Sequence, residues 1–269
     1  MFNDVFVFAV LFLFVVAFAQ APGSNAPSQK PLGKDVKIIF LHHSTGSNVW
    51  QGGVAAWFKE YNASHAVNYQ ITEQAFPKEE PYGWKNYPFD YWNIWVNHAG
   101  PNAFQEEPTL EILTRKYNVI VFKHCFPVAS VNPDTGKGDV SSEDKRAENY
   151  KLQYEALKSK LRQFPNNRFV VWTGAMLCQT DTDEASAKRA KDFFRWVKTS
   201  WDEKGDNIYV WDFETLETDG GLYLKKGYEA EPGDSHPGKD LCKRIAPLFA
   251  KRVVDCIEGR GDSGSLTGQ

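Results

Sequence analysis

"VKIIFLHHSTGSN", residues 36–48, is the stretch on which the fold turns. Its first half is a nearly unbroken apolar run, which suits a strand covered on both faces of a parallel sheet. Its second half is small and polar. It leads into "NVWQGGVAAWFKEY" (48–61), which reads as a helix in spite of Gly52 and Gly53. A strand that feeds a helix through such a turn leaves Ser44 at the strand's carboxyl end. Unpaired backbone N–H groups of the turn lie beside it.

The same alternation continues outward. "AVNYQITEQ" (66–74), "YNVIVFKHC" (117–125), "RFVVWTG" (168–174) and "NIYVWDF" (207–213) read as further strands. Helices are expected at 108–116, 141–164, 183–201 and 238–257. Pro108 stands at a first helical position. Ser141 and Asp144 have capping-box spacing. Tyr150, Tyr154, Leu157, Leu161 and Phe164 trace one helical face, and Pro247 is expected to kink the last helix. Strands joined by helices of this length imply right-handed crossovers. The expected fold is therefore α/β: a three-layer α/β/α sandwich around a five-stranded parallel sheet, of flavodoxin-like type. Ligands of such sheets bind at the carboxyl ends of the strands.

The stretch 75–107 is dense in Pro, Tyr, Trp and Asn and too long for an ordinary connection, so it reads as a functional insertion. Its segment 84–100 suits a covering layer of core and a saccharide-binding rim equally well. Aromatic residues make up 14% of the chain, with nine Trp. Hydrophobic content of 42% and charged content of 24% are ordinary globular values. A net charge of −3 gives no electrostatic footprint for nucleic acid.

The termini read differently from the domain. An apolar run from Val5 to Ala19 ends in Ala17-Phe18-Ala19, a small-x-small cleavage pattern, so residues 1–19 read as a signal peptide. The segment before the run has no Lys or Arg and carries Asp4, which keeps an uncleaved anchor as the alternative. Residues 20–34 read as a flexible lead-in, 35–258 as the domain and 259–269 as a disordered tail whose Arg260-Gly261-Asp262 is a chance match to an adhesion motif. The mature protein is expected to be secreted or periplasmic, with no membrane span after cleavage. Export permits disulfides among Cys125, Cys178, Cys242 and Cys256. Cys242 and Cys256 share a helix and would stand about 21 Å apart, too far to bridge each other. Asn62-Ala63-Ser64 is a glycosylation sequon. His42 and His43 are adjacent on a strand and point to opposite faces, which argues against a shared metal. No metal or organic cofactor is expected. Cys125 has no feature that would lower its pKa and reads as a buried or disulfide-bonded thiol.

The last strand–helix junction carries "EPGDSHPG" (231–238), which places His236 just ahead of the final helix. A serine needs a base to become a nucleophile. In a doubly wound sheet the first and last junctions can meet on one rim, with Asp234 beside His236 to orient it. Ser44 as a plain helix cap and His236-Pro237 as an ordinary helix start are the competing readings.

This order of elements resembles the SGNH hydrolases, also called GDSL esterases and lipases. "IIFLHHSTGSN" is similar to the family's first block, with His42 and His43 where Gly and Asp usually stand. "DSHPG" is similar to the last block, and the likeness spans about 36–257. The resemblance implies Ser44 as nucleophile, His236 as base and Asp234 as third member, one residue closer to the His than is usual. Gly233-Asp234-Ser235 and Gly261-Asp262-Ser263 are then decoys, because no strand feeds the first and the tail holds the second. For the oxyanion hole the resemblance points to Gly100, with Asn97 or Lys123 in place of the missing Asn after the third core strand. The expected function is an exported serine esterase that removes acyl groups, acetyl in particular, from a small-molecule or polysaccharide ester. A non-catalytic glycan-binding or surface protein on the same scaffold, and a sugar O-acyltransferase, stay open as alternatives.

Overall fold

The computed structural model describes residues 29–269. The leader expected at 1–19 lies outside them. Five parallel strands form one sheet: β1 (Asp35–His42), β2 (Asn68–Ala75), β3 (Val119–Phe122), β4 (Arg168–Trp172) and β5 (Ile208–Trp211). Their order is β2-β1-β3-β4-β5, that of doubly wound flavodoxin-like sheets, as expected. The register sets Leu41 opposite Phe122, Phe122 opposite Val171 and Trp172 opposite Trp211.

Alternation along the strands divides the core. Ile39, Leu41, Ile120, Phe122, Phe169 and Val171 face one helical layer; Ile38, Phe40, Val119, Val121, Trp172 and Trp211 face the other. Both sets are buried, which is why the strands are apolar throughout. The first layer holds α3 (Pro88–Trp92), α5 (Ala147–Leu161) and α6 (Glu184–Trp196). The second holds α1 (Thr45–Gln51), α2 (Val54–His65) and α8 (Lys239–Ile257), the last running through Pro247. Short helices α4 (Leu110–Lys116) and α7 (Phe213–Thr218) lead into β3 and out of β5. Among the described residues no helix is long and apolar enough to cross a membrane.

Several expectations need correction. The helix expected over 48–61 is two helices, broken at Gly52-Gly53. Gly53 has φ 116°, and a Cβ on Gly52 would lie 2.4 Å from the Cys242 carbonyl oxygen of α8. The helix expected from Ser141 begins only at Ala147, because Ser141 spends its N–H and hydroxyl on Asp139. The stretch 84–100 is core: Tyr87, Tyr91, Ile94 and Trp95 are fully buried, and Trp84 and Trp92 nearly so. The saccharide-rim reading falls away for Tyr87, Tyr91 and Trp95, which pack in the core against β1 and β3, whereas Trp84 also lines a surface cavity.

Residues 29–34 and the C-terminal tail are not loose. Leu32 N–H bonds the Ile257 carbonyl, and Arg168 Nη2 donates to the Lys30 carbonyl. In the tail, Asp212 N–H bonds the Leu266 carbonyl, Trp211 Nε1 the Thr267 carbonyl and Arg252 Nη1 the Gly261 carbonyl. The disordered tail expected at 259–269 is instead packed over β5 and α8. Within its Arg-Gly-Asp, Arg260 pairs with Asp255 and Asp262 accepts from the Gly205 N–H. The sequon is likewise engaged. Asn62 Nδ2 donates to the Tyr69 carbonyl and its Oδ1 accepts the Tyr69 N–H, each at 3.0 Å. All four cysteines are free thiols.

Candidate functional site

Ser44 stands where β1 gives way to α1, as expected. Its backbone is in a sparsely allowed region, φ 27° and ψ −90°, and the turn around it is closed by Gly46 N–H to the His43 carbonyl at 2.8 Å. Neither the Ser44 nor the Thr45 N–H has an acceptor among the described residues. The Ser44 hydroxyl opens into a cavity of about 470 Å³ together with His43, Glu79, Gly83, Trp84, Lys85, Asn86, Cys125 and Pro127.

His236 lies on the same rim. Asn48 of α1 donates to the Pro237 carbonyl at 3.2 Å, which ties the histidine loop to the serine's helix. The imidazole packs edge-on against Phe126, ring centroids 4.9 Å apart. Phe126 follows Cys125, whose Sγ is 3.3 Å from Ser44 Oγ. His236 Nδ1 bonds Asp234 Oδ1 at 2.7 Å, so the shortened Asp-x-His spacing still pairs the two residues. Hydrogen bonds from the His236 backbone N–H and ring hold the Asp234 carboxyl below the usual carboxylate range. His236 Nε2 has no partner among the described residues. Nor does a hydrogen bond join it to Ser44, whose hydroxyl is paired with Cys125 instead.

Ser235 plays a different part. It is buried; its hydroxyl donates to Asp181 Oδ2 at 2.6 Å and accepts the Cys178 N–H at 2.9 Å. It fastens the His236 loop to the segment after β4, which fits its reading as a decoy.

The expected oxyanion residues do not gather at Ser44. Gly100 N–H donates to Glu111 and the Gly100 carbonyl accepts from Thr109; Asn97 is exposed and bonds Asn93. Both belong to the approach to α4, and neither lines the Ser44 cavity. Lys123 is wholly buried and also off the cavity wall, with no partner for its Nζ. Burial drives Lys123 toward the neutral amine and drives the carboxyl of buried Glu217 strongly upward.

Sequence reasoning missed what the insertion contributes. Asn86, at φ 60°, is buried and sends its Nδ2 to the Phe76 carbonyl, while its own carbonyl accepts the Cys125 N–H at 2.8 Å. Asp90 Oδ2 accepts the N–H groups of Lys85 and Asn86 at 2.8 and 2.6 Å. The insertion thus folds back to build one wall of the cavity and hold Cys125 in place. Its usable signal was Asn, one of the few residues that tolerate positive φ, among aromatics on a long crossover. A second cleft, of about 650 Å³, opens beside Pro237; Asn48, Gln51, Glu229, Glu231, Lys239 and Asp240 help line it.

No family model matches the chain, and no curated protein matches it. Two solved structures to which it is similar are a gut microbial diltiazem-metabolizing enzyme and a carbohydrate esterase whose active site is described as displaying divergent catalytic and non-catalytic binding functions. The first is 13% identical with a TM-score of 0.48, covering 87% of this chain and 49% of its own. The second is 11% identical with a TM-score of 0.38, covering 83% of this chain and 66% of its own. The chain thus spans about half the length of the first and under two thirds of the second. Likenesses of this extent say nothing about the reaction.

Proposed function

We propose that the chain is an exported serine esterase of SGNH type that removes acyl groups from a carbohydrate. The observation that carries the reading is the convergence on one rim of Ser44, on its positive-φ turn, and the hydrogen-bonded Asp234–His236 pair. Ser44 Oγ exchanges Cys125 Sγ for His236 Nε2 as its partner and gives up its proton there as it attacks the ester carbonyl. Apo hydrogen bonds of this kind often form only with substrate in place. The Ser44 N–H faces the developing oxyanion. His236 returns the proton to the departing alcohol, then deprotonates the water that releases the acid. The polar linings of the Ser44 cavity and of the cleft beside Pro237 supply donors and acceptors for sugar hydroxyls. The apolar leader at 1–19 supports export.

The pairing of Ser44 with Cys125 rather than His236 favours a second reading, a glycan-binding scaffold without catalysis. Acetate release from p-nitrophenyl acetate and from acetylated xylan, by the mature protein and by Ser44→Ala, separates the two. Release lost in the variant supports the esterase. No release, or equal release by both proteins, removes Ser44 as nucleophile.

A further inference from the structure

The turn that carries Ser44 rests on a buried histidine that the esterase reading leaves without a role. His42, the last residue of β1, is 3% exposed. Its Nε2 lies 2.8 Å from Glu73 Oε2 on β2, and its Nδ1 lies 3.5 Å from the hydroxyl of Ser47 on α1. Only one neutral tautomer satisfies both contacts: Nε2–H donates to the carboxylate, and Nδ1 accepts from the hydroxyl. Burial pushes the His42 pKa down to about 3, so the ring stays in that neutral form. Gly46 lies directly on the ring, since a Cβ there would come within 2.4 Å of His42 Cβ. The chain between them, His43 to Thr45, must therefore arch over the imidazole, and Ser44 takes its positive φ at the top of that arch.

We propose that Glu73, His42 and Ser47 form a hydrogen-bonded brace that positions the Ser44 hydroxyl. The brace joins three elements, β2, β1 and α1, and touches none of the reacting atoms, so its members are positioning residues. Strained backbone at a reactive group persists only where its surroundings over-determine it. The brace supplies that support from beneath, while Asn86 and Cys125 border the turn from above. The inference rests on the esterase reading, because a brace for Ser44 matters only if Ser44 reacts.

The test compares Glu73→Leu, Glu73→Gln and Ser47→Ala with the wild type. Three quantities are read: kcat and KM on p-nitrophenyl acetate, the rate of Ser44 labelling by a fluorophosphonate probe, and the melting temperature. Leucine at 73 offers His42 no acceptor, whereas the Gln carbonyl does. Displacement of a reacting atom by about 1 Å costs on the order of 100-fold. We therefore expect Glu73→Leu and Ser47→Ala to lower kcat by about 10- to 100-fold with KM nearly unchanged, to slow labelling in the same ratio, and to melt close to the wild type. Glu73→Gln is expected to restore most of the rate. Wild-type kcat and labelling in either Glu73→Leu or Ser47→Ala overturns the brace, as does a loss of rate that only tracks a fall in melting temperature. A wild-type protein that neither cleaves esters nor takes the probe at Ser44 overturns the esterase reading, and the brace with it.

Discussion

Asp234 Oδ1 holds His236 by both ends, accepting its ring Nδ1–H at 2.7 Å and its backbone N–H at 2.9 Å. One carboxylate oxygen thereby fixes the tautomer and the ring direction together, leaving Nε2 to face the rim. This double contact is available only because the two residues are two apart, the spacing of an Asx turn. We expect Asp234→Ala to lower kcat by about 10- to 100-fold, less than the roughly 10⁴-fold fall for a buried triad carboxylate, since Asp234 is 40% exposed. Steady-state kinetics on p-nitrophenyl acetate check this; an unchanged kcat would show that His236 needs no orienting partner.

Removal of residues 259–269 is expected to destabilise the domain markedly. The bonds from Asp212 N–H, Trp211 Nε1 and Arg252 Nη1 into the tail would be lost, each contributing about 1 kcal/mol. Tyr209, against which Gly261 is packed, would be uncovered as well. Urea denaturation of the truncated chain should show a loss of about 3 kcal/mol or more. A midpoint equal to that of the full chain would contradict the packed tail.

Asp90 gives stability an unusual pH slope. Burial raises its folded pKa from 3.8 to about 7, outweighing the backbone N–H bonds that lower it. Between these two values the folded state binds a proton that the unfolded state has released, so stability falls as pH rises through that window. Asp202, likewise raised to about 7, contributes in the same direction. Asp90→Asn keeps an oxygen for the Lys85 and Asn86 N–H groups and removes the titration. Melting curves from about pH 4 to about pH 8 should therefore show a flatter decline in the variant. An identical decline would mean that Asp90 does not titrate there.

How far each residue was legible depended on how local its determinants are. The continuous apolar runs of β1, β3, β4 and β5 reported burial on both faces before any contact was known, and alternation with helices implied the parallel sheet. Ser44 lies at a strand–helix junction, so its place at the carboxyl end of β1 followed from element order; Asp234 and His236 lie instead on the loop between α7 and α8, although still just ahead of the last helix. Gly100, Asn97 and Lys123 were misjudged because an oxyanion donor is defined by direction, and a loop's direction depends on what it packs against. The aromatic rings of 84–100 were ambiguous for the same reason: a Trp suits a core and a rim equally until its neighbours are known.

By itself the sequence determined the layered α/β architecture, the carboxyl-end rim and the residue types gathered there, because hydrophobic periodicity and connection length act over short spans of chain. Only the tertiary structure decided that Cys125 borders Ser44, that the insertion closes the cavity through Asn86, that His42 lies beneath the Ser44 turn and that the tail seals β5. Each of these brings together groups distant in sequence, and their contacts depend on side-chain packing across elements, which no local pattern encodes.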